Sequence, residues 1–189
     1  QDLSIEVSSD DGTERVGLLV ESSDMTVNGM TVAGTTNTTG VHFGENAFTD
    51  LQTRIQNLDV DYGSAITGNF TEFDSYNDAP EIVDSDLTGV EVVVDGAPIR
   101  FIGSTLSDIK ADSEHEMSVD LIDSTLTTSS VVDISGEAEV RLMRTLTVIV
   151  RGPNGIVVPT TVTGQSTDPV WSTQTYSEDG RADLEIVLY

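Results

Sequence analysis

Short β-rich runs recur along the chain: Leu3-Ser4-Ile5-Glu6-Val7, Val16-Gly17-Leu18-Leu19-Val20, Val90-Glu91-Val92-Val93-Val94 and Leu146-Thr147-Val148-Ile149-Val150. Each is bounded by Gly, Asp, Asn or Ser, the residues that close tight turns, so the pattern predicts an all-β protein. Only one stretch has helical spacing: Ala47, Phe48, Leu51, Ile55 and Leu58 would line three turns starting near Thr49. The same residues also alternate, with Leu51, Thr53, Ile55 and Asn57 set against Gln52, Arg54 and Gln56. That alternation favours a strand.

A repeat organises the middle of the chain. Val83-Asp84-Ser85-Asp86-Leu87-Thr88, Ile102-Gly103-Ser104-Thr105-Leu106-Ser107 and Ile122-Asp123-Ser124-Thr125-Leu126-Thr127 share one order: aliphatic, small or acidic, Ser, polar, Leu, hydroxyl. Their leucines lie 19 and 20 residues apart, and weaker copies precede them at Ile55-Gln56-Asn57-Leu58-Asp59-Val60 and Asp24-Met25-Thr26-Val27. A strand, a tight polar corner and a further strand at this period predict stacked coils of a parallel β-helix, in which each coil buries its inward aliphatics on its neighbours. Leu87, Leu106 and Leu126 should then be equivalent inward residues, with Asp86, Thr105 and Thr125 outward. The alternative is an antiparallel β-sandwich with strands every 8–12 residues or so.

On this spacing and turn chemistry, residues 16–143 resemble right-handed parallel β-helix repeat proteins, a family that includes many secreted surface proteins of haloarchaea and methanogens. The tail reads differently. A strand to Val150, a turn at Gly152-Pro153-Asn154-Gly155, the runs Ile156-Val157-Val158-Pro159 and Thr160-Thr161-Val162-Thr163, and an Asp179-Gly180 turn into a final strand resemble small immunoglobulin-like modules of the carboxypeptidase-regulatory or Cna-B type. Thr160-Thr161 stand where such modules usually carry Gly-Ala after the Pro. The expected division is a β-helix-like body over residues 1–143 and a small β-module over 144–189.

Charge places this fold in an environment. The chain carries 33 acidic and 8 basic residues, a formal net charge of -25. Such self-repulsion strains a compact state in dilute buffer. At about 1 M salt the Debye length falls to roughly 3 Å and the carboxylates are screened from one another. Lys110 is the only lysine, and Asp outnumbers Glu. Together these features resemble haloarchaeal proteins and imply a high-salt habitat. No cysteine is present, which removes disulfides and thiolate metal sites. No apolar run reaches the roughly 18 residues that a membrane helix needs. Gln1 in place of Met suggests a processed chain. Two sequons, at Asn37 and Asn69, would accept glycans on an exported protein. Extracellular or cell-surface localisation is expected.

Candidate chemistry is sparse. The β-helix resemblance makes polysaccharide lyases and hydrolases the enzymatic alternative, yet no Gly-His-Gly or Arg-Ile-Lys segment occurs. Arg54, Arg100 and Lys110 are the central cations, and His42 and His115 stand in unrelated contexts. A serine nucleophile elbow, Gly-x-Ser-x-Gly, is absent. Asp59-x-Asp61-x-Gly63 begins like a calcium loop but has Gly63 at the fifth position and Ser64 at the sixth, which excludes an EF-hand. Weak Ca²⁺ or Mg²⁺ binding at Asp59, Asp61, Asp84 and Asp86 is the remaining metal candidate, set against hydrated surface carboxylates. Nucleic acid would be repelled by this charge. Phe43, Phe48, Phe70, Phe73 and Tyr76 read as core and turn packing more readily than as a sugar-stacking stripe.

These readings converge on a non-enzymatic extracellular structural subunit of a filament, sheath or surface layer, without a required cofactor. The alternatives are an adhesin or carbohydrate-binding module with a glycan partner and, third, a polysaccharide-active β-helix. A stack of coils has open ends that demand caps or partners. Leu3, Ile5 and Val7 form one apolar face, followed by the flexible Ser8-Ser9-Asp10-Asp11-Gly12. This strand is expected either to pair with a neighbouring copy or to open the protein's own core.

Overall fold

The computed structural model describes residues 3–6, 15–20, 26–34, 38–43, 53–60, 64–69, 79–96, 98–149, 151–156, 158–167, 170–177 and 181–187. Regular structure among them is entirely β: β1 (Leu3–Glu6), β2 (Arg15–Val20), β3 (Thr26–Ala33), β4 (Thr38–Phe43), β5 (Arg54–Val60), β6 (Ser64–Asn69), β7 (Glu81–Val83), β8 (Asp86–Asp95), β9 (Ile99–Ile102), β10 (Thr105–Ile122), β11 (Thr125–Leu126), β12 (Val132–Ile149), β13 (Thr160–Thr167), β14 (Val170–Ser177) and β15 (Arg181–Val187). The ambiguous stretch resolves as strand β5 from Arg54 onward, while its earlier part, with Phe48 and Leu51, lies outside the described residues. Two compact units divide the chain, Gln1–Val140 and Arg141–Tyr189.

The first unit is a stack of parallel coils. Residues 26–28, 54–56, 81–83, 100–102 and 120–122 pair side by side on one face. Residues 3–6, 30–33, 58–60, 86–87, 105–106 and 125–126 follow on the second. β2, β4, β6 and residues 91–95 and 108–112 make the third. Chain order visits the faces in turn, so β3–β4, β5–β6, β7–β8 and β9–β10 each complete a coil.

The sequence makes these coils through its corners. Between the first and second faces the backbone turns at Gly29, Asn57, Asp84, Gly103 and Asp123, all with positive φ (75°, 54°, 49°, 62° and 51°). Gly, Asn and Asp are the residues that enter the left-handed region at little cost. At Gly103 a Cβ would meet only the end of the exposed Asp84 side chain, which can move aside, so the positive φ is what favours glycine there. The earliest of these corners is Val27-Asn28-Gly29-Met30 in β3, a few residues later than the weak copy at Asp24-Met25-Thr26-Val27. The register is set by the positive-φ residue, which at this corner is Gly29.

Two inward rows follow each corner. One residue after it, Met30 and Leu58 give way to Ser85, Ser104 and Ser124, all buried. Each serine oxygen caps the backbone of the preceding coil: Leu58 N donates to Ser85 Oγ (3.0 Å), Ser85 N to Ser104 Oγ (3.1 Å) and Ser104 N to Ser124 Oγ (3.0 Å). Their hydroxyls donate inward to carbonyls, as Ser85 does to Val83 O and Ser124 to Phe101 O, both at 2.9 Å. A corner bends the strand out of ladder geometry, and the serine supplies the partner that a buried N–H requires. Three residues after the corner Val32, Val60, Leu87 and Leu106 are all 3% exposed or less. Leu126 pairs with Leu106 in the same row but is half-buried at the last coil. Asp86 and Thr125 face solvent, and Thr105 is half-buried between them. The predicted register of the repeat therefore holds.

β12 pairs with β10 in the first unit. A Cβ on Gly136 would sit 1.9 Å from Ser113 O, so only glycine lets the backbones approach this closely. In the second unit residues 143–149 pair antiparallel with β15, burying Met143, Ala182 and Leu184. β13 and β14 form an antiparallel hairpin. The Pro-Asn-Gly turn closes through Gly155 N to Gly152 O at 2.9 Å, and Asn154 Oδ1 accepts from Ile156 N. Ile156, Val158 and Pro159 are not in a strand, contrary to the apolar pattern. Pro159 has no N–H to give a ladder, and Ile156 is 62% exposed. β14 lacks an apolar alternation and was not evident from the pattern.

Candidate functional site

Three features of the first unit concentrate unusual residues: an ion-pair row, the acidic corners and the first coil. The ion-pair row lies three residues before each corner, where Arg54, Glu81, Arg100 and Asp120 occupy equivalent positions on successive coils. Glu81 is 6% exposed and bridges both arginines, with Arg54 Nη1 at 2.7 Å from Oε2 and Arg100 Nη1 at 3.2 Å from Oε1. Glu81 and Asp120 are the buried carboxylates among the described residues. Two of the chain's few cations thus neutralise Glu81, the less exposed of these two acids, as burial of charge demands. Counting back three positions from each corner would have found this row in the sequence. Lys110, the third central cation, is exposed on the third face.

At the acidic corners, Asp59 and Asp86 lie directly abreast on neighbouring coils. Both are exposed, as is Asp84, whose Oδ2 accepts from Gln56 Nε2 at 3.1 Å. No group of three or more metal-ligating side chains with suitable geometry occurs among the described residues; Asp61 lies outside them. His42 is half-buried on β4 and His115 is exposed on β10. Phe43 is 1% exposed in the core, where it cannot offer a face to a sugar. Phe48, Phe70, Phe73 and Tyr76 lie outside the described residues, as does the sequon Asn37, and Asn69 ends β6.

The first coil carries the strand expected to assemble. Among the described residues β1 pairs with β3 and β2 with β4. Ile5 lies in the inward row with Val32, and Leu3 in the row with Met30; Val7 lies outside the described residues. Val27, Ile5 and Leu18 are less covered than their partners on the next coil, whereas Val20 is buried at 2% beside Phe43 at 1%. Val27 is half-buried where its partner Ile55 is 0% exposed, and Ile5 is half-buried where Val32 is 0% exposed. Val16 is 39% exposed beside Thr39 at 2%, and because a Cβ on the next residue, Gly17, would lie 2.8 Å from the buried Val32 side chain, Val16 lies on the opposite side of the strand from that contact. Leu18 is half-buried beside Val41 at 0%. Outward Leu19, 53% exposed, adds to the apolar surface of β2.

No known protein family, curated protein or solved structure matches this chain. No helix among the described residues is long and apolar enough to cross a membrane.

Proposed function

We propose that this protein is an extracellular structural subunit of a high-salt organism, self-associating through the first coil of its stack to build a filament, sheath or surface layer. The observation that carries this reading is the apolar surface of β2, where Val16 is 39% and Leu19 53% exposed. Large apolar side chains exposed on a strand form a surface that a partner can cover. Burying them against a partner removes apolar surface from water at about 25 cal/mol per Å². The charge of -25 supports the habitat, since copies of such a chain approach one another only when salt screens them. Export, glycan attachment at Asn37 or Asn69 and a β-helix lineage of haloarchaeal type belong to the same reading. So does an immunoglobulin-like identity for residues 144–189.

Light scattering with negative-stain microscopy tests this directly. In about 1 M KCl the purified chain should form ordered assemblies that disperse near 0.01 M, where the Debye length is roughly 30 Å. Monodisperse single chains at every salt concentration would refute the structural role. Specific retention on a glycan array by such single chains would favour the adhesin instead.

A further inference from the structure

We propose that the start of β12, beside β10 on the third face, is a docking edge for an extended segment of a different protein, one in which apolar residues alternate with Lys or Arg. All residues of this end of the stack, from 98 to 149, are among those described.

Ile109 N donates to Val131 O at 2.9 Å, and Gly136 lies against Ser113. The two contacts advance together, so β12 runs parallel to β10. In a parallel ladder the residue beyond the acceptor stands abreast of the donor, which sets Val132 beside Ile109 and Ile134 beside Ala111. Both therefore continue inward rows. Ile109 and Ala111 are 1% and 0% exposed, whereas Val132 is 39% and Ile134 45% exposed. Because Val131 O points to β10, the main-chain groups of Val132 and Ile134 point to the other edge. β15 pairs with residues 143–149 of β12, and no strand among the described residues pairs with 132–135 on that edge. Such an edge is a template for an added strand. Gly136, at φ 66°, ends the straight segment.

Charge decides what fits there. Alternate apolar residues of an incoming strand would cover Val132 and Ile134, and those between them would lie beside Asp133. The ionisable groups around this edge are Asp108, Asp112, Asp133 and Glu137 against Lys110 alone. Asp108 already accepts from Val131 N at 2.8 Å, while Asp112, Asp133 and Glu137 are exposed. Opposite charges on neighbouring strands stabilise a pairing and like charges oppose it. A second copy docking this edge on its own would set the same acids against one another. Nor does any other segment of the sequence suit, because no two of its basic residues stand two positions apart. An apolar and basic alternation from another protein meets both the inward rows and the outward acids.

Fluorescence anisotropy with two labelled peptides, Lys-Val-Lys-Val-Lys-Val and Glu-Val-Glu-Val-Glu-Val, tests the pairing. In about 1 M KCl the Debye length of roughly 3 Å screens whole chains from one another but still spans a contact pair. The basic peptide should bind about tenfold more tightly than the acidic one, and hydrogen exchange should slow at Val132 and Ile134. The D133K/E137K variant should reverse that preference. Ile134→Asp should lose both peptides with an unchanged β-sheet spectrum, since Ile134 is 45% exposed. Val16→Asp should bind the basic peptide as the wild type does, so failure of self-association through β2 and failure of this edge are read separately. Equal binding of the two peptides, a preference that D133K/E137K leaves unchanged, or binding of neither would overturn the proposal. So would a fall in sedimentation mass on Ile134→Asp without peptide, which would give the edge to a second copy.

Discussion

Replacing Ser104 by alanine removes one oxygen from the middle of the serine ladder, and its cost can be worked from both neighbours. Ser85 N loses its acceptor at 3.1 Å, and no water reaches it, since Ser85 is 4% and Ser104 1% exposed. The Ser104 hydroxyl also gives up its contacts with Ile82 O (3.3 Å) and Ile102 O (3.2 Å). Both distances are long, and those carbonyls have other lone pairs, so this part of the loss is small. The orphaned amide dominates, and an unsatisfied buried donor costs about 1–3 kcal/mol. Ser104→Ala should therefore destabilise by about that amount, S124A similarly by stranding Ser104 N, and S85A by stranding Leu58 N. Urea titration at fixed high salt measures the stability, and amide hydrogen exchange identifies the site. In S104A, protection should fall first at Ser85. A change below about 0.5 kcal/mol, the usual size for an unremarkable surface substitution, with Ser85 still protected, would refute the ladder as a source of stability.

Further outcomes follow from the same coils. Leu106→Ala should cost about 2–5 kcal/mol by urea titration, and the half-buried Leu126 clearly less, whereas T125A should stay near zero; the reverse order would show that the register is wrong. Glu81→Ala removes hydrogen bonds between a charged acceptor and two arginines and should cost about 1.5–3 kcal/mol. Because Glu81 is buried, that loss should change little between low and high salt, unlike the loss from an exposed pair. β-Sheet circular dichroism should weaken and melting temperature fall on dialysis from about 1 M to 0.01 M KCl, as carboxylate repulsion is unscreened. An unchanged spectrum and melting temperature would count against adaptation to high salt.

The later corners were legible because their coils are short: Ser85, Ser104 and Ser124 recur at 19 and 20 residues, with a leucine two places on. The earlier corners at Gly29 and Asn57 were harder, since longer excursions follow them and Met30 and Leu58 replace the serine. Only the left-handed residue is common to all five corners, and it is Gly, Asn or Asp according to site. The Arg54–Glu81–Arg100 row was hidden for a related reason. Charged residues separated by 27 and 19 positions look unrelated until the corners align them. For the first coil, alternation in β1 exposed an apolar face at Leu3 and Ile5, but Val16 and Leu18 became conspicuous only through burial. A sequence shows which residues are apolar, whereas the fold shows which of them remain exposed.

The claim that the exposed apolar surface of β2 drives assembly is tested most directly by the sedimentation mass of Val16→Asp beside the wild-type chain in about 1 M KCl. Val16 is 39% exposed, so a single folded chain should tolerate the carboxylate, while a docked surface would have to bury it without a partner. Wild type should sediment as dimers and larger species, and Val16→Asp as single chains with an unchanged β-sheet spectrum. Equal masses for the two proteins, both folded, would contradict the account.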